Sequence, residues 1–461
     1  MYHLLRPLTY PTKTLSQRLS LYFLNKNIRQ LHGSLIMESE KIRIADRHKG
    51  SDKNVWVEFG RLAVEHKAVN LGQGFPDHFP PQYVRDALSD VSNSDSELLY
   101  QYTRSYGHPR LVNVLSVLYS RLIQRDIHPM DEILITVGAY GALYCAVQGL
   151  INPGDEVIII EPYFDCYEPM VRAAGGIPVF IPLEPTKSGA VVSSADWKLD
   201  PEELTRKFSD KTKAIFLNTP NNPLGKVYRY EELELIANLC KKHDVVVFAD
   251  EVYEWLIYNP NEHIRIATLP DMWQRTITIG SAGKSFSVTG WKTGWAIGPS
   301  RLIYALQKLH QNCIYTCPTP IQEAVAIAFE KEMPQLEKPE CYFNQLPLEL
   351  IEKRDRMVRF LREAGMIPTI PEGGYFMLAD YSKLKVDIDY KPDEPRDLQF
   401  VRWLTKNKKL AVIPPSAFYS QQHKHLAEDM IRLCFIKARR ALATKFYKKK
   451  KRAIRLVDDV N

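Results

Sequence analysis

The chain is 461 residues long, with 45% hydrophobic and 25% charged residues and a formal net charge of +7. This length allows two domains and a large core, and no apolar run approaches the ~20 residues that a membrane-spanning helix needs. Seven cysteines in such a chain do not indicate a disulfide framework, so we expect a reducing compartment. Cys313 and Cys317 lack a matching Cys/His pair for zinc, and we expect no metal site and two buried thiols.

The basic excess lies at the two ends of the sequence. Residues 1–37 contain no acidic residue, and their charges are all basic: Arg6, Lys13, Arg18, Lys26 and Arg29. This composition predicts a mitochondrial transit peptide; the alternatives are a disordered arm, or sequence upstream of a second start at Met37 that would give a cytoplasmic form. Residues 448–461 begin with a lysine run and are predicted to be a solvated basic tail. The nearly neutral middle argues against nucleic acid as a partner.

The middle of the chain predicts an α/β domain over residues 85–329. Apolar β-branched runs alternate there with helical stretches, and such runs are typical of parallel strands buried on both faces. We expect a mostly parallel sheet of the seven-stranded type, with the ligand site outside the carboxyl ends of its strands. The predicted strands are Ile133–Val137, Glu156–Ile160, Ala214–Leu217, Val245–Ala249 and Thr276–Gly280.

After residue 330 the pattern changes to that of a smaller α+β domain, predicted over 330–447. An amphipathic helical stretch from Leu348 to Ala364 is followed by short strand-like runs at Gly374–Ala379 and Ile431–Phe435. Residues 38–84 are predicted to form an N-terminal arm and part of this smaller domain.

Lys284 is the residue that first suggests a function. It lies between small residues just after the strand predicted at 276–280, where a lysine amine can form an imine with a carbonyl. Enzymes that use pyridoxal 5′-phosphate (PLP) need such a lysine, together with a carboxylate that keeps the pyridine nitrogen protonated. Asp250 directly follows the strand predicted at 245–249 and is the candidate carboxylate. The pair predicts a PLP enzyme with Lys284 as its catalytic base.

Other groups that PLP and an amino acid require can also be found at strand ends. Backbone N–H groups at a helix start, a hydroxyl and a cation would bind the phosphate, an amide and a phenol would face the ring oxygen, an aromatic ring would stack, and an arginine would bind the substrate carboxylate. Each candidate alone has a structural alternative as a cap, loop residue or edge charge, but their order along the chain is specific. The candidates are Ala139 and Tyr140 for the backbone N–H groups, Ser281 and Lys292 for the hydroxyl and the cation, Asn222 and Tyr253 for the amide and the phenol, Phe164 for the aromatic ring and Arg432 for the arginine.

From Val55 to Ala441 the chain resembles class I PLP aminotransferases of fold type I. Within them it is most similar to kynurenine aminotransferases, also called cysteine-S-conjugate β-lyases or glutamine transaminase K. One branch of that family has a histidine where this chain has Thr316, and the surrounding Ile-Tyr-Thr-Cys is more similar to the kynurenine aminotransferase III branch. The stretches that carry the resemblance are Trp56–Phe59, Asn70–Asp77, Gln101–Arg104, Val137–Leu143, Phe164–Pro169, Asn218–Gly225, Ser281–Lys284 and His310–Asn312.

The resemblance implies a homodimer with shared active sites and adds further site residues. Tyr102 would reach the PLP phosphate of the other subunit, and Tyr315 and Thr316 would line its substrate pocket. Trp56, Tyr140 and Phe376 would form an aromatic wall, and core packing is the alternative for these aromatic residues, for Phe376 in particular. The Gly74 backbone would lie near the substrate carboxylate.

The implied reaction is transamination of L-kynurenine, of related aromatic or sulfur-containing amino acids and of glutamine with a 2-oxo acid. Kynurenine would give kynurenic acid, and substrates with a leaving group at Cβ would undergo β-elimination. The alternatives are a different preferred amino acid or a dedicated β-lyase on the same fold. A non-enzymatic interaction protein has support only from the lysine run at 448–452.

Overall fold

The computed structural model describes residues 44–48, 54–186 and 192–437. The predicted transit segment 1–37, the basic tail 448–461 and residues 438–447 lie outside this part of the chain. The chain divides into two compact units, residues 1–50 and residues 51–461. Of the first unit only a short 3₁₀ helix, Asp46–His48, with two residues before it is described. No helix among the described residues is long and apolar enough to cross a membrane.

The second unit alternates helices and strands along most of its described length. The helices are α1 Val55–Glu65, α2 Gln82–Ser92, α3 Pro109–Ile123, α4 Gly138–Leu150, α5 Tyr167–Ala173, α6 Pro201–Lys207, α7 Tyr230–Lys242, α8 Ala282–Ser285, α9 Ser300–Cys313, α10 Thr319–Glu332, α11 Tyr342–Glu363 and α12 Arg396–Trp403. The strands are β1 Val69–Asn70, β2 Ile133–Val137, β3 Glu156–Glu161, β4 Ile177–Pro182, β5 Glu184–Pro185, β6 Val192–Ser193, β7 Trp197–Lys198, β8 Thr212–Asn218, β9 Val246–Asp250, β10 Thr276–Ser281, β11 Thr293–Ile297, β12 Ile367–Ile370, β13 Phe376–Asp380, β14 Leu410–Ala411 and β15 Met430–Cys434.

A seven-stranded sheet forms the centre of the unit, in the order β2-β11-β10-β9-β8-β3-β4. All its neighbours pair in parallel except β11, which is antiparallel to both β10 and β2. The five strands expected from the sequence all lie in this sheet. The predicted fold class, a mostly parallel α/β sheet of the fold-type I kind, is confirmed.

Strand β3 shows why these sequences form buried strands. Its residues alternate between two apolar clusters, with Val157 and Ile159 in one and Ile158 and Ile160 in the other. Side chains of a strand point to opposite faces in turn, so a run that is apolar throughout needs a cover on both faces. The cluster on one face also contains residues of α4 and α9, and the cluster on the other contains residues of α7.

A second sheet has four strands in the order β15-β13-β12-β6. Three of these strands follow residue 330, and only β6 precedes it. Residues of the N-terminal arm share its core, since Phe59 and Leu71 belong to one apolar cluster with Leu350, Phe400 and Leu433. The domain boundaries placed at residues 84, 329 and 447 stay predictions.

The two cysteines that were expected to be buried differ in the structure. Cys317 is buried, but Cys313 is exposed, and the prediction for Cys313 was wrong. The physical reason is its place in the last turn of α9, where residues 311–315 are all exposed.

Trp295 and Gly280 form a cross-strand pair just before α8, the helical turn that carries Lys284. Trp295 is fully buried, and its Nε1 donates to the Tyr119 hydroxyl at 3.0 Å. A Cβ placed on Gly280 would lie 2.2 Å from Trp295 Nε1, which no real contact allows. The indole therefore occupies the space that a side chain at residue 280 would need.

We expect Gly280→Ala to destabilise the protein by about 1–3 kcal/mol, the usual cost of overpacking a close-packed core. Chemical denaturation followed by circular dichroism would measure this loss. Gly290→Ala is the matched control, since a Cβ there meets no atom within 4 Å. Equal stability of the two variants would contradict the packing argument.

Candidate active site

A cavity of about 310 Å³ lies where the strands of the large sheet end. Its walls contain every residue proposed from the sequence as a site residue except Tyr102, Tyr315 and Thr316. The predicted residues that line it are Trp56, Gly74, Ala139, Tyr140, Phe164, Asn222, Asp250, Tyr253, Ser281, Lys284, Lys292, Phe376 and Arg432.

Lys284 enters the cavity from α8, the single helical turn that follows β10. Its Nζ donates to the Tyr375 hydroxyl at 2.7 Å and to the Gly74 carbonyl oxygen at 3.3 Å. Burial lowers the pKa of Lys284 to about 8, with the positive charges of Arg432 and Lys292 acting in the same direction. At pH ~7.4 roughly a fifth of an amine with this pKa is neutral, and this form can act as a general base.

Asp250 ends β9, the strand next to β10, and pairs in register with Ile279. Its Oδ2 accepts a hydrogen bond from the Tyr167 hydroxyl at 2.6 Å, while its Oδ1 has only a 3.5 Å contact with the Val252 amide. Burial raises the pKa of Asp250 to about 6, against the opposing effects of Tyr167 and Lys284. Such a carboxylate is suited to bind a cationic group of a ligand, because no ion pair joins it to a lysine or arginine among the described residues and Lys284 acts on it only at longer range.

An anion cradle lies at the start of α4. Gly138 takes a positive φ of 68° there, and no side chain caps the helix, so the first N–H groups, including those of Ala139 and Tyr140, are free of a side-chain acceptor. Lys292, itself in the left-handed region, brings its Nζ close to Gly138, and Ser281 lines the same part of the cavity. Uncapped N–H groups beside an ammonium and a hydroxyl form a site for a phosphate or similar anion.

Arg432 lies in the middle of β15 and is fully buried. One terminal nitrogen donates to Asn222 Oδ1 at 3.1 Å and the other to the Gly72 carbonyl oxygen, while its buried Nε has no hydrogen-bond partner among the described residues. The guanidinium carbon lies 4.2 Å from the ring centre of Phe376 and 5.0 Å from that of Trp56. Burial lowers the pKa of Arg432 to about 10, so it remains charged and can bind a carboxylate.

Aromatic side chains form the remaining wall of the cavity. The Trp56 indole N–H donates to the Asp165 carboxylate, which fixes the indole against Phe418 at a ring-centre distance of 6.2 Å. Phe164 packs edge-on against Tyr140 at 6.2 Å. The wall thus offers an apolar, orientable surface beside the guanidinium.

Tyr102, Tyr315 and Thr316 lie outside the cavity. Tyr102 is 82% exposed and Tyr315 is 51% exposed, and their rings pack edge-on with centres 5.4 Å apart. Thr316 is half-buried, and its hydroxyl donates to the Cys317 carbonyl oxygen at 3.3 Å.

Several residues of the site were missed in the sequence analysis, among them Asn218, Tyr167 and Tyr375. Asn218 Oδ1 accepts from the Asn222 amide, and Asn218 Nδ2 donates to the Asp250 carbonyl oxygen at 2.9 Å. Its place at the end of β8 is a signal that could have found it. Tyr167 and Tyr375 carry no such signal, because both act through contacts with residues far away in the sequence.

The fold and this cavity define an enzyme of the aminotransferase type. The chain belongs to the family of aminotransferases of class I and II, and the sequence model of that family matches residues 66–442. The family predicted from the sequence is therefore confirmed.

Individual relatives agree with the family. The chain is 57% identical over 400 residues to kynurenine–oxoglutarate transaminase 3 from Mus musculus, covering 86% of this chain and 87% of that protein. It is 50% identical to kynurenine–oxoglutarate transaminase 1 from Homo sapiens, covering 85% and 94%. The crystal structure of Bna3p, a putative kynurenine aminotransferase from Saccharomyces cerevisiae, superposes with a TM-score of 0.82 at 33% identity, covering 89% and 98%.

The raised pKa of Asp250 predicts a conflict between stability and function. The pKa of this carboxylate is ~3.9 in the unfolded chain and about 6 in the folded protein. Its ionisation therefore lowers the free energy of unfolding above pH 6 and has no such effect below pH ~4. We expect Asp250→Asn to stabilise the ligand-free protein at pH 8, by about 3 kcal/mol at most, and the gain to shrink as the pH falls. Thermal unfolding at a series of pH values would measure this difference.

Asp397→Asn is the matched control. Asp397 is another buried carboxylate, but its two oxygens accept from the backbone amides of Leu398 and Ser416 at 2.8 and 2.7 Å. Burial raises the pKa of Asp397 too, to about 7, so removal of its charge favours folding at pH 8. An amide has only one acceptor oxygen, however, so this variant leaves one backbone N–H without its partner and should gain less stability than Asp250→Asn. A loss of stability at pH 8 in both variants would contradict the role assigned to Asp250.

Proposed function

We propose that this aminotransferase uses PLP and transfers the amino group of L-kynurenine to a 2-oxo acid. The observation that carries the proposal is that a buried carboxylate, Asp250, and a partly buried lysine amine, Lys284, enter one cavity at the ends of neighbouring strands. Around the same cavity lie an anion cradle and a buried arginine, which are the other two groups that PLP and an amino acid require.

The residues of the cavity fit PLP group by group. The N–H groups of Ala139 and Tyr140, with Ser281 and Lys292, would bind its phosphate. The weakly satisfied Oδ1 of Asp250 would bind the pyridine nitrogen.

The ring and its substituents have partners as well. Phe164 lines the cavity and would stack on the ring, while Asn222 and Tyr253 would face the ring oxygen. Lys284 would hold the aldehyde carbon covalently. When bound, PLP supplies a protonated, conjugated ring that delocalises the electron pair left at the substrate Cα.

The side chains of this chain would divide the remaining work. Arg432 would bind the substrate carboxylate with its guanidinium, which lines the cavity. This contact fixes the orientation of the amino acid, so that its Cα–H bond faces Lys284. The neutral amine of Lys284 would then take the Cα proton at Nζ and return it at a neighbouring atom, as a base whose pKa lies near the working pH can do.

Kynurenine is supported by the relatives and by the aromatic wall. Two relatives at 57% and 50% identity are named kynurenine–oxoglutarate transaminases. Trp56 and Phe376 lie against the guanidinium of Arg432 and would place an aromatic side chain beside the bound carboxylate.

The test is steady-state formation of kynurenic acid from L-kynurenine and 2-oxoglutarate by purified protein supplied with PLP. We expect turnover in the wild type and a loss of at least about 10³-fold in Lys284→Ala, since the proton transfer loses its base. Lys408→Ala is the control. Lys408 is exposed and does not line the cavity, so this variant should keep full activity.

Three outcomes would change the proposal. Absence of kynurenic acid with turnover of another amino acid would move the substrate and keep the cofactor. Release of pyruvate and a thiol from a cysteine S-conjugate without any use of the 2-oxo acid would favour the β-lyase alternative. No turnover of any amino acid after PLP is added would reject the proposal.

We further propose that the active protein is a homodimer in which each site is completed by the other subunit. Support comes from the exposed pair of Tyr102 and Tyr315, which the resemblance assigns to the neighbouring site and which does not line the cavity of its own chain. Large exposed apolar side chains such as Leu98 and Tyr304 are expected where a second subunit packs.

Mixing two inactive variants tests this arrangement. Lys284→Ala and Tyr102→Ala should each be nearly inactive, but a heterodimer contains one site with both native residues. After the two are denatured together and refolded at equal amounts, we expect recovery of about a quarter of the wild-type activity. Activity that stays at the level of the separate variants, with dimers present by size-exclusion chromatography, would contradict sharing of the site through Tyr102.

A further inference from the structure

Tyr375 connects the cavity lysine to the Gly74 loop, and none of the roles assigned above uses it. It directly precedes β13 and is 1% exposed. Its hydroxyl donates to the Gly74 carbonyl oxygen at 2.9 Å and accepts from Lys284 Nζ at 2.7 Å. The hydroxyl is therefore in direct contact with the atom that would act as the base.

The hydrogen bonds around Lys284 Nζ determine where its lone pair points. A neutral amine has two N–H groups and one lone pair in a tetrahedral arrangement around the nitrogen. Tyr375 and Gly74 provide two oxygen acceptors, at 2.7 and 3.3 Å. When both N–H groups are donated to these oxygens, the lone pair takes the remaining direction, away from the Gly74 loop.

Tyr375 accepts from the lysine while its own proton is donated to the Gly74 carbonyl oxygen. Burial raises the pKa of Tyr375 far above its usual value, and the neighbouring Tyr253 adds to this effect, so the group stays a neutral hydroxyl. A hydroxyl that donates to a carbonyl has its lone pairs available for an N–H donor.

Packing alone does not account for the hydroxyl. The ring of Tyr375 packs edge-on against Tyr253 at 5.1 Å and beside Phe376 at 4.8 Å. A phenylalanine ring would make the same contacts. The hydroxyl is the part of the side chain whose position matters to Lys284 and Gly74.

We propose that Tyr375 is a positioning residue, whose hydroxyl orients the free amine of Lys284 so that its lone pair faces the substrate. This inference rests on the proposed function, since it assigns a role in the proton transfer at Cα. It applies to the intervals in which Nζ carries no covalent partner. Misdirection of a base by about 1 Å is enough to cost ~10²-fold in rate.

The test compares Tyr375→Phe with Tyr381→Phe. Tyr381 is also a buried tyrosine with a bonded hydroxyl, which donates to the Glu428 carbonyl oxygen at 2.8 Å. It stacks on Phe400 and does not line the cavity, so its variant controls for the general effect of losing a buried hydroxyl. Tyr375→Phe is expected to fold, because Lys284 still donates to the Gly74 oxygen; its circular dichroism and melting temperature would verify this.

The first measurement uses cofactor-free protein. The rate at which trinitrobenzenesulfonate labels Lys284, followed by peptide mass spectrometry at a series of pH values, gives the apparent pKa of the amine. Loss of an acceptor disfavours the ammonium form, so this pKa should be lower in Tyr375→Phe than in the wild type. Tyr381→Phe should give the wild-type value.

The second measurement uses the holoenzyme. For Tyr375→Phe we expect kcat to fall by about 10- to 100-fold with KM for the amino acid nearly unchanged. The isotope effect on kcat with α-deuterated substrate should rise, because proton transfer becomes more rate-limiting. A structural defect would not selectively raise the isotope effect.

Each outcome has a separate meaning. Wild-type labelling, kcat and isotope effect in Tyr375→Phe would overturn the role of Tyr375. A wild-type holoenzyme without transaminase activity would overturn the proposed function instead. Labelling of the cofactor-free protein would in that case still decide whether Tyr375 controls the Lys284 amine.

Discussion

The site depends on the burial of opposite charges at one edge of a parallel sheet. Asp250 and Lys284 leave neighbouring strands, β9 and β10, at their carboxyl ends and reach the same cavity. Burial moves the two pKa values towards each other, to about 6 for Asp250 and about 8 for Lys284. The charged form of each side chain is thereby less stable than it is in water. A charged, electron-withdrawing cofactor would make use of this property.

The rest of the structure supplies what this pair lacks. Strand β15 delivers Arg432 from the smaller sheet, and the Gly72 carbonyl oxygen and Asn222 amide oxygen hold its guanidinium from the arm and the large sheet. One arginine therefore connects three segments of the fold at the point where a substrate carboxylate would bind. The same pattern recurs at Gly74, whose carbonyl oxygen accepts from Tyr375 and Lys284. Elements far apart in the chain thus meet at the cavity through charged or strongly polar hydrogen bonds.

Much of the fold and site could be predicted because the signals are local. Apolar runs identified five of the seven strands of the large sheet, and the rule that ligands lie at the carboxyl ends of parallel strands directed attention to Asp250 and Lys284. Strand β11 was not predicted, because its five residues include a glycine and its antiparallel direction is set by the neighbours β2 and β10. Tyr102 and Tyr315 came only from the resemblance, because no pattern within the chain marks a residue that would serve another subunit.

Contacts between distant residues could not be predicted. Tyr375 and Gly74 are 301 positions apart, and Tyr167 and Asp250 are 83 apart. A tyrosine in a strand or helix usually packs in the core, and its sequence neighbours do not show which polar atom its hydroxyl reaches. The burial of Cys313 was expected because a free cysteine is usually buried, and the sequence does not reveal that the last turn of α9 lies in an exposed segment.

The identity of the lysine that binds the cofactor is the most direct test of the PLP site. Purified protein supplied with PLP would be reduced with borohydride, digested and mapped by mass spectrometry. We expect a phosphopyridoxyl group on the peptide that contains Lys284, and none on that peptide in Lys284→Ala. A label on Lys292 in place of Lys284, or no labelled lysine at all, would contradict the assignment of the cavity as a PLP site.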